Sequence, residues 1–302
     1  MKSVVFALCV VALAVSPRAE ARVEVVATLP ALAALAQEVG GDLVTVTSLL
    51  APTQDPHYAD PRPSLMLALS KADLVIANGL DLEVGWLPRL LVGARNPRVQ
   101  PGGEGYLDAS TAVQRLDVPE RADRSQGDVH PGGNPHFLFD ARAASAIAGA
   151  IAARLAALDP ANKDRYFERG RKAMKELSLF ATAETRRFLD LGPERRRVVS
   201  YHKSFPYLYA WLHLEEVATV EPKPGISPDP GHVAKVLATI KANGVPAILE
   251  EEFYPTSTSE TLAQLGKSSL VIVTGGPRFD SGETYLGWLR SVTGKVYDAL
   301  AR

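Results

Sequence analysis

Three histidines, His57, His136 and His202, stand where a side chain could do chemistry. His57 lies in a loop after a candidate strand. His136 belongs to Gly132-Gly133-Asn134-Pro135-His136, a short turn before an Ala-rich helix, and His202 ends a candidate strand in Ser200-Tyr201-His202. Asn-Pro starts turns, and Pro135 pushes Asn134 out of helical geometry. Asp140 is placed to cap the helix that follows. Alone, His136 fits a half-buried turn residue bonded to backbone as readily as a ligand. Together, three neutral imidazoles suit zinc, which takes nitrogen at about 2.0–2.1 Å. The three lie too far apart in the chain for a local metal motif. A fold has to gather them, and in open α/β sheets ligands bind at the carboxyl ends of strands. Two such lobes face to face would set His57 and His136 from one side against His202 from the other.

The patterning predicts such lobes. Residues 23–28 form a β-branched run, read as a buried strand. A helix over 31–39 follows, stopped by Gly40-Gly41. Strands at 43–48 and 72–77, a helix beginning at 63–69 and another over 83–91 complete a βαβαβα order. That order implies a mostly parallel sheet flanked by helices. Residues 117–133 are polar, with Asp117, Glu120, Asp123 and Asp128, and read as a mobile surface loop whose His130 is either solvated or an accessory metal contact. An Ala-rich helix covers 141–158. Residues 161–189 read as one long helix with Gly170 as its weak point, a connection between lobes. Alternation resumes after Gly192-Pro193, from a strand over 197–201 to a closing helix over 283–300. The expected architecture is α/β with two lobes, residues 22–158 and 191–302, joined by a linker helix over 159–190.

Composition narrows the function. Residues 1–21 carry Lys2, an apolar run over 4–15 and Ala19-Glu20-Ala21, the pattern of a cleaved secretory signal peptide. The single cysteine, Cys9, falls inside that run and outside any lipobox. The mature chain then has no thiolate ligand, cysteine nucleophile or disulfide, which suits a periplasmic protein. The 33 basic and 34 acidic residues balance, so nothing points to nucleic acid.

The same stretches resemble the substrate-binding proteins of zinc/manganese ABC importers, the cluster A-I metal-binding family. Val25-Val26-Ala27-Thr28-Leu29-Pro30 resembles the opening strand and turn of that family. Gly41-Asp42 and Asp55-Pro56-His57-Tyr58, with Pro61 and Pro63-Ser64, resemble its first ligand loop. Ala72-Asp73-Leu74-Val75-Ile76-Ala77-Asn78-Gly79, then Leu82-Glu83 and Trp86, resemble the next strand and helix. Gly133-Asn134-Pro135-His136 and His202 with Phe205 and Tyr207 resemble the other two ligand segments. Glu221-Pro222 and Gly225-Ile226-Ser227-Pro228 resemble the loop beyond.

The resemblance implies a monomeric periplasmic receptor that holds metal in the cleft between its lobes and delivers it to a membrane ABC permease. It implies His57, His136 and His202 as ligands of Zn2+, with Mn2+ less suited because manganese prefers more carboxylate oxygen. One place departs from the family. A fourth ligand, an Asp, often follows the last strand, and here that place reads Thr274-Gly275-Gly276-Pro277. Asp280, a few residues on, is the expected substitute, with Glu251 or water as alternatives. A secreted zinc hydrolase is a different reading of three histidines with an open position, but no His-Glu-x-x-His segment exists. An adhesin on the same scaffold is a third.

Overall fold

The computed structural model describes residues 22–120, 127 and 129–302. The candidate signal peptide, and Asp123 and Asp128 of the acidic loop, lie outside the described residues. The first sheet holds β1 (Val23–Ala27), β2 (Val44–Ser48), β3 (Leu74–Ala77) and β4 (Tyr106–Asp108) in the order β2-β1-β3-β4. The second holds β5 (Arg197–Ser200), β6 (Glu215–Thr219), β7 (Ala247–Glu251) and β8 (Ser269–Val273) in the order β6-β5-β7-β8. All pairings are parallel, and the two sheets share one winding order. Every residue of β3 and β7 is buried, as expected of parallel strands covered on both faces.

The helices are α1 (Pro30–Gly40), α2 (Pro63–Lys71), α3 (Leu87–Ala94), α4 (Ala141–Leu158), α5 (Lys163–Leu189), α6 (Pro206–Leu212), α7 (Pro230–Asn243), α8 (Ser257–Gly266) and α9 (Tyr285–Ala301). Proline in the first turn opens α1, α2, α3, α6 and α7, where its missing N–H costs nothing. Asp140 caps α4, accepting from the Arg142 amide at 2.7 Å.

One local expectation changes, and one strand is added. The helix expected from 83 starts at Leu87, because Pro88 belongs to its first turn and not its interior. Just before it, Leu80 and Asp81 both take positive φ, so the chain turns there. Strand β4 was not legible, having three residues behind a Gly/Pro-containing stretch. By length and composition α4 is apolar enough to cross a membrane. Here its alanine-rich face is core, packed on α1 and α5.

The linker α5 is no isolated strut. It lies against α4 and also meets α1, α6 and α9. The last helix, α9, returns to pack on α1 and α5, so one apolar core runs from β1 to α9. Gly170 is the point of closest approach between α4 and α5. A Cβ built there meets the Ala152 Cβ at 2.7 Å. Gly170→Ala should therefore lower the melting temperature. Helix propensity favours alanine by about 1 kcal/mol, while overpacking costs about 1–3 kcal/mol. A thermal melt checks the balance, and a raised midpoint would show that the two helices part freely.

Candidate metal centre

The three histidines converge at the cleft from three separate segments. His57 comes from the loop after β2, His136 from the turn before α4 and His202 from the end of β5. One ligand nitrogen from each lies within 4.8 Å of the others. Ring centres are 5.2 Å apart for His57 and His136, and 5.4 Å apart for the other two pairs. Tetrahedral zinc with nitrogens at about 2.0–2.1 Å sets imidazole centres roughly 5 Å apart, so the rings stand near that geometry.

Each ring is held from behind. Asp55 accepts from the His57 amide at 2.9 Å and contacts the ring Nδ1 at 2.7 Å. Trp86 Nε1 donates to the Pro56 carbonyl at 2.9 Å, pinning the same loop to the start of α3. Glu221, just beyond β6, lies 2.7 Å from His202 Nδ1 and is itself fixed by the Gly225 amide at 3.0 Å. Paired this way, each Nδ1–H donates to a carboxylate and Nε2 is left to face the cleft.

His136 is held through its backbone. Its amide donates to Asn134 Oδ1 at 2.9 Å, and Asn78 Nδ2 donates to the Pro135 carbonyl at 2.9 Å. Asn78 and Gly79 in turn donate their amides to the buried Glu83 carboxylate, at 2.7 and 3.1 Å. Asn134 also spans the lobes. Its Nδ2 donates to the Lys203 carbonyl at 2.8 Å, and its carbonyl accepts from Tyr207 at 2.9 Å. The His136 turn and the His202 loop are thus tied directly to each other.

Burial lowers the His136 pKa well below its ordinary 6.5, and the neighbouring His57, His202 and His130 add to the effect. Burial alone would raise Asp55, but its bonds from His57 outweigh that and leave its pKa lowered. The Nε2 atoms of His57 and His136 are shielded from water and have no hydrogen-bond partner among the described residues. A buried acceptor left unmade costs about 1–3 kcal/mol. Two such acceptors, aimed at one point, are the donor set of a metal-binding centre.

The other candidates fall differently. Asp280 sits on an exposed one-turn 3-10 helix, Phe279–Ser281, and stands outside the gathered group. The Gly275-Gly276 turn does fold toward the first lobe, but the Gly275 amide bonds to the Pro52 carbonyl at 3.2 Å and Gly276 lies against Pro30. The chain then leaves through an Arg278–Glu283 turn, carrying Asp280 to the surface. Glu251 is fully buried at the end of β7, and burial raises its pKa to about 8, with the Asp55 and Glu250 charges adding and Ser204 opposing. It too lies outside the group of ligand nitrogens.

His130, read from the sequence as solvated or as an accessory metal contact, is packed, its ring 5.5 Å from that of His57. Phe137 is a core residue packed against Tyr207, and Tyr58 is exposed at the cleft rim. The supporting residues Asn78 and Glu83 were not singled out for this role. The Asp55 and Glu221 motifs were visible, but their partners were not.

Two wound sheets face each other across a histidine cleft, braced by one long helix, and the chain matches substrate-binding components of metal ABC importers. The chain belongs to the family described as zinc-uptake complex component A, periplasmic, which it matches over residues 25–299. Among relatives, the metal ABC transporter substrate-binding lipoprotein ScbA of Streptococcus cristatus is 23% identical over 256 residues, 80% of this chain and 76% of the relative. The manganese ABC transporter substrate-binding lipoprotein PsaA of Streptococcus pneumoniae is 24% identical over 246 residues, with the same shares covered. A crystal structure of ZnuA superposes with a TM-score of 0.79 at 22% identity, covering 93% of this chain and all of that one.

Proposed function

We propose that this protein is a monomeric periplasmic receptor that captures Zn(II) at His57, His136 and His202 and delivers it to a membrane ABC permease. Residues 1–21 act as the cleaved export signal in this reading. The observation that carries it is the donor set: three imidazole nitrogens within 4.8 Å, with no carboxylate oxygen in the group among the described residues. Imidazole suits zinc, whereas manganese prefers oxygen donors. Relatives are named for manganese and the family for zinc, so this reading rests on the ligands and not on the scaffold.

A receptor reading also suits the two carboxylates nearest the rings. Asp55 and Glu221 are occupied in holding His57 and His202. Neither is free to act as the general base a zinc hydrolase needs. Competition titration with a chromophoric chelator should rank zinc well above manganese. Equal affinity for the two would sink the metal assignment.

A further inference from the structure

We propose that His130 is the fourth metal ligand of this centre, so that zinc is held by four imidazoles. This rests on the receptor reading above. His130 lies between two cavities. The outer one, about 930 Å³, is lined by His57, His130 and Tyr58 among others. The inner one, about 450 Å³, is lined by His130, His136 and His202. No other histidine lines both. Its ring centre is 5.5 Å from His57, close to the 5.2–5.4 Å separating the other three. Its Nε2 is shielded from bulk water.

The chain is built to let the ring approach. The His130 carbonyl accepts from the Gly133 amide at 3.1 Å, a tight turn that leads straight into the His136 segment. Gly133 has φ +114, a conformation closed to side-chain-bearing residues, and Gly132 carries no side chain either. The His130 nitrogen stands outside the 4.8 Å trio, so ligation needs a swing of the ring toward the centre.

The carboxylate alternatives are worse placed. Asp280 is on the surface. Glu251 is buried at the end of β7, stands outside the gathered nitrogens and lines neither cavity, whereas His130 lines both.

Zinc K-edge X-ray absorption on the zinc-loaded full chain decides between the sets, paired with zinc affinity of wild type and His130→Ala. We expect four imidazoles in the wild type, and three plus one oxygen in the variant. We expect the variant to bind zinc about 10²- to 10³-fold more weakly, the loss of one ligand of four, as water takes the vacated position. Three imidazoles and one oxygen in both proteins, with unchanged affinity, would overturn the fourth ligand and leave the receptor reading standing. Failure of the wild type to bind zinc at all would overturn both. The wild-type spectrum alone is decisive if the variant does not fold.

Discussion

His136→Ala should weaken zinc binding by about 10²- to 10³-fold while leaving the metal-free protein as stable as before, or more stable. The affinity loss follows from dividing the energy of a site. Closed zinc centres contribute about 10–16 kcal/mol in all, so one ligand of four carries roughly 2.5–4 kcal/mol, which is about two to three decades in Kd. The stability half follows from burial. His136 is 8% exposed and its Nε2 has no partner. A buried acceptor without a partner is a liability of about 1–3 kcal/mol in the metal-free fold. Alanine removes it, and the adjoining cleft lets water fill the space vacated by the ring. The turn itself should survive, because it is held by Asn134, Asn78 and Tyr207 acting on backbone groups. Calorimetric titration gives the affinity, and a thermal melt without metal gives the stability. A variant that binds zinc like wild type would remove His136 from the ligand set. One that melts many degrees lower without metal would show that the imidazole is structural packing.

Much of the architecture was legible because its signals are local. Buried parallel strands read as β-branched runs, and Pro30, Pro63, Pro206 and Pro230 mark helix starts by chemistry that acts within one turn. The His136 turn was legible for the same reason, since Asn-Pro and Asp140 fix its geometry without distant help. What failed is non-local. Nothing near Asp280 says that Gly275 will bond to Pro52 and send the chain outward. Nothing near His130 says that its ring will pack on His57, more than seventy residues away along the chain. Asn134 shows the limit most clearly. Its turn-forming role was readable from the residue after it. Its bonds to Lys203 and Tyr207, which couple the lobes, exist only once both sheets are wound. The linker is a related case. Gly170 looked like a soft point in a long helix, but the gap to Ala152 makes it a packing contact.

Zinc should raise the melting temperature at pH 7.5 and raise it less at pH 5.5. At a hundredfold excess over Kd, a ligand bound only by the folded state adds about 2.7 kcal/mol. For a chain of this size that is roughly 5–10 °C. Ligand imidazoles must be neutral, and the ordinary histidine value is about 6.5, so protons compete with zinc near and below that pH.

The His136 contribution to the acid sensitivity of the metal-free protein has a fixed sign. The His136 pKa is lowered by folding, so between its folded value and about 6.5 the unfolded chain binds a proton that the folded chain refuses. Stability therefore rises with pH through that window, and the contribution is fully present above it. Asp55 acts in the same direction, but in a window below its ordinary 3.8. Between pH 7.5 and 5.5 only the His136 term is in play of these two. His136→Ala should then lose less stability than the wild type, or gain more, on acidification over that range. Both outcomes are named because buried Glu251, raised to about 8, favours the folded state at lower pH in both proteins. Melts at both pH values, with and without zinc, for both proteins, separate the two effects. A zinc-induced shift of the same size at both values would contradict histidine ligation. An equally acid-sensitive His136→Ala protein would locate the proton uptake elsewhere.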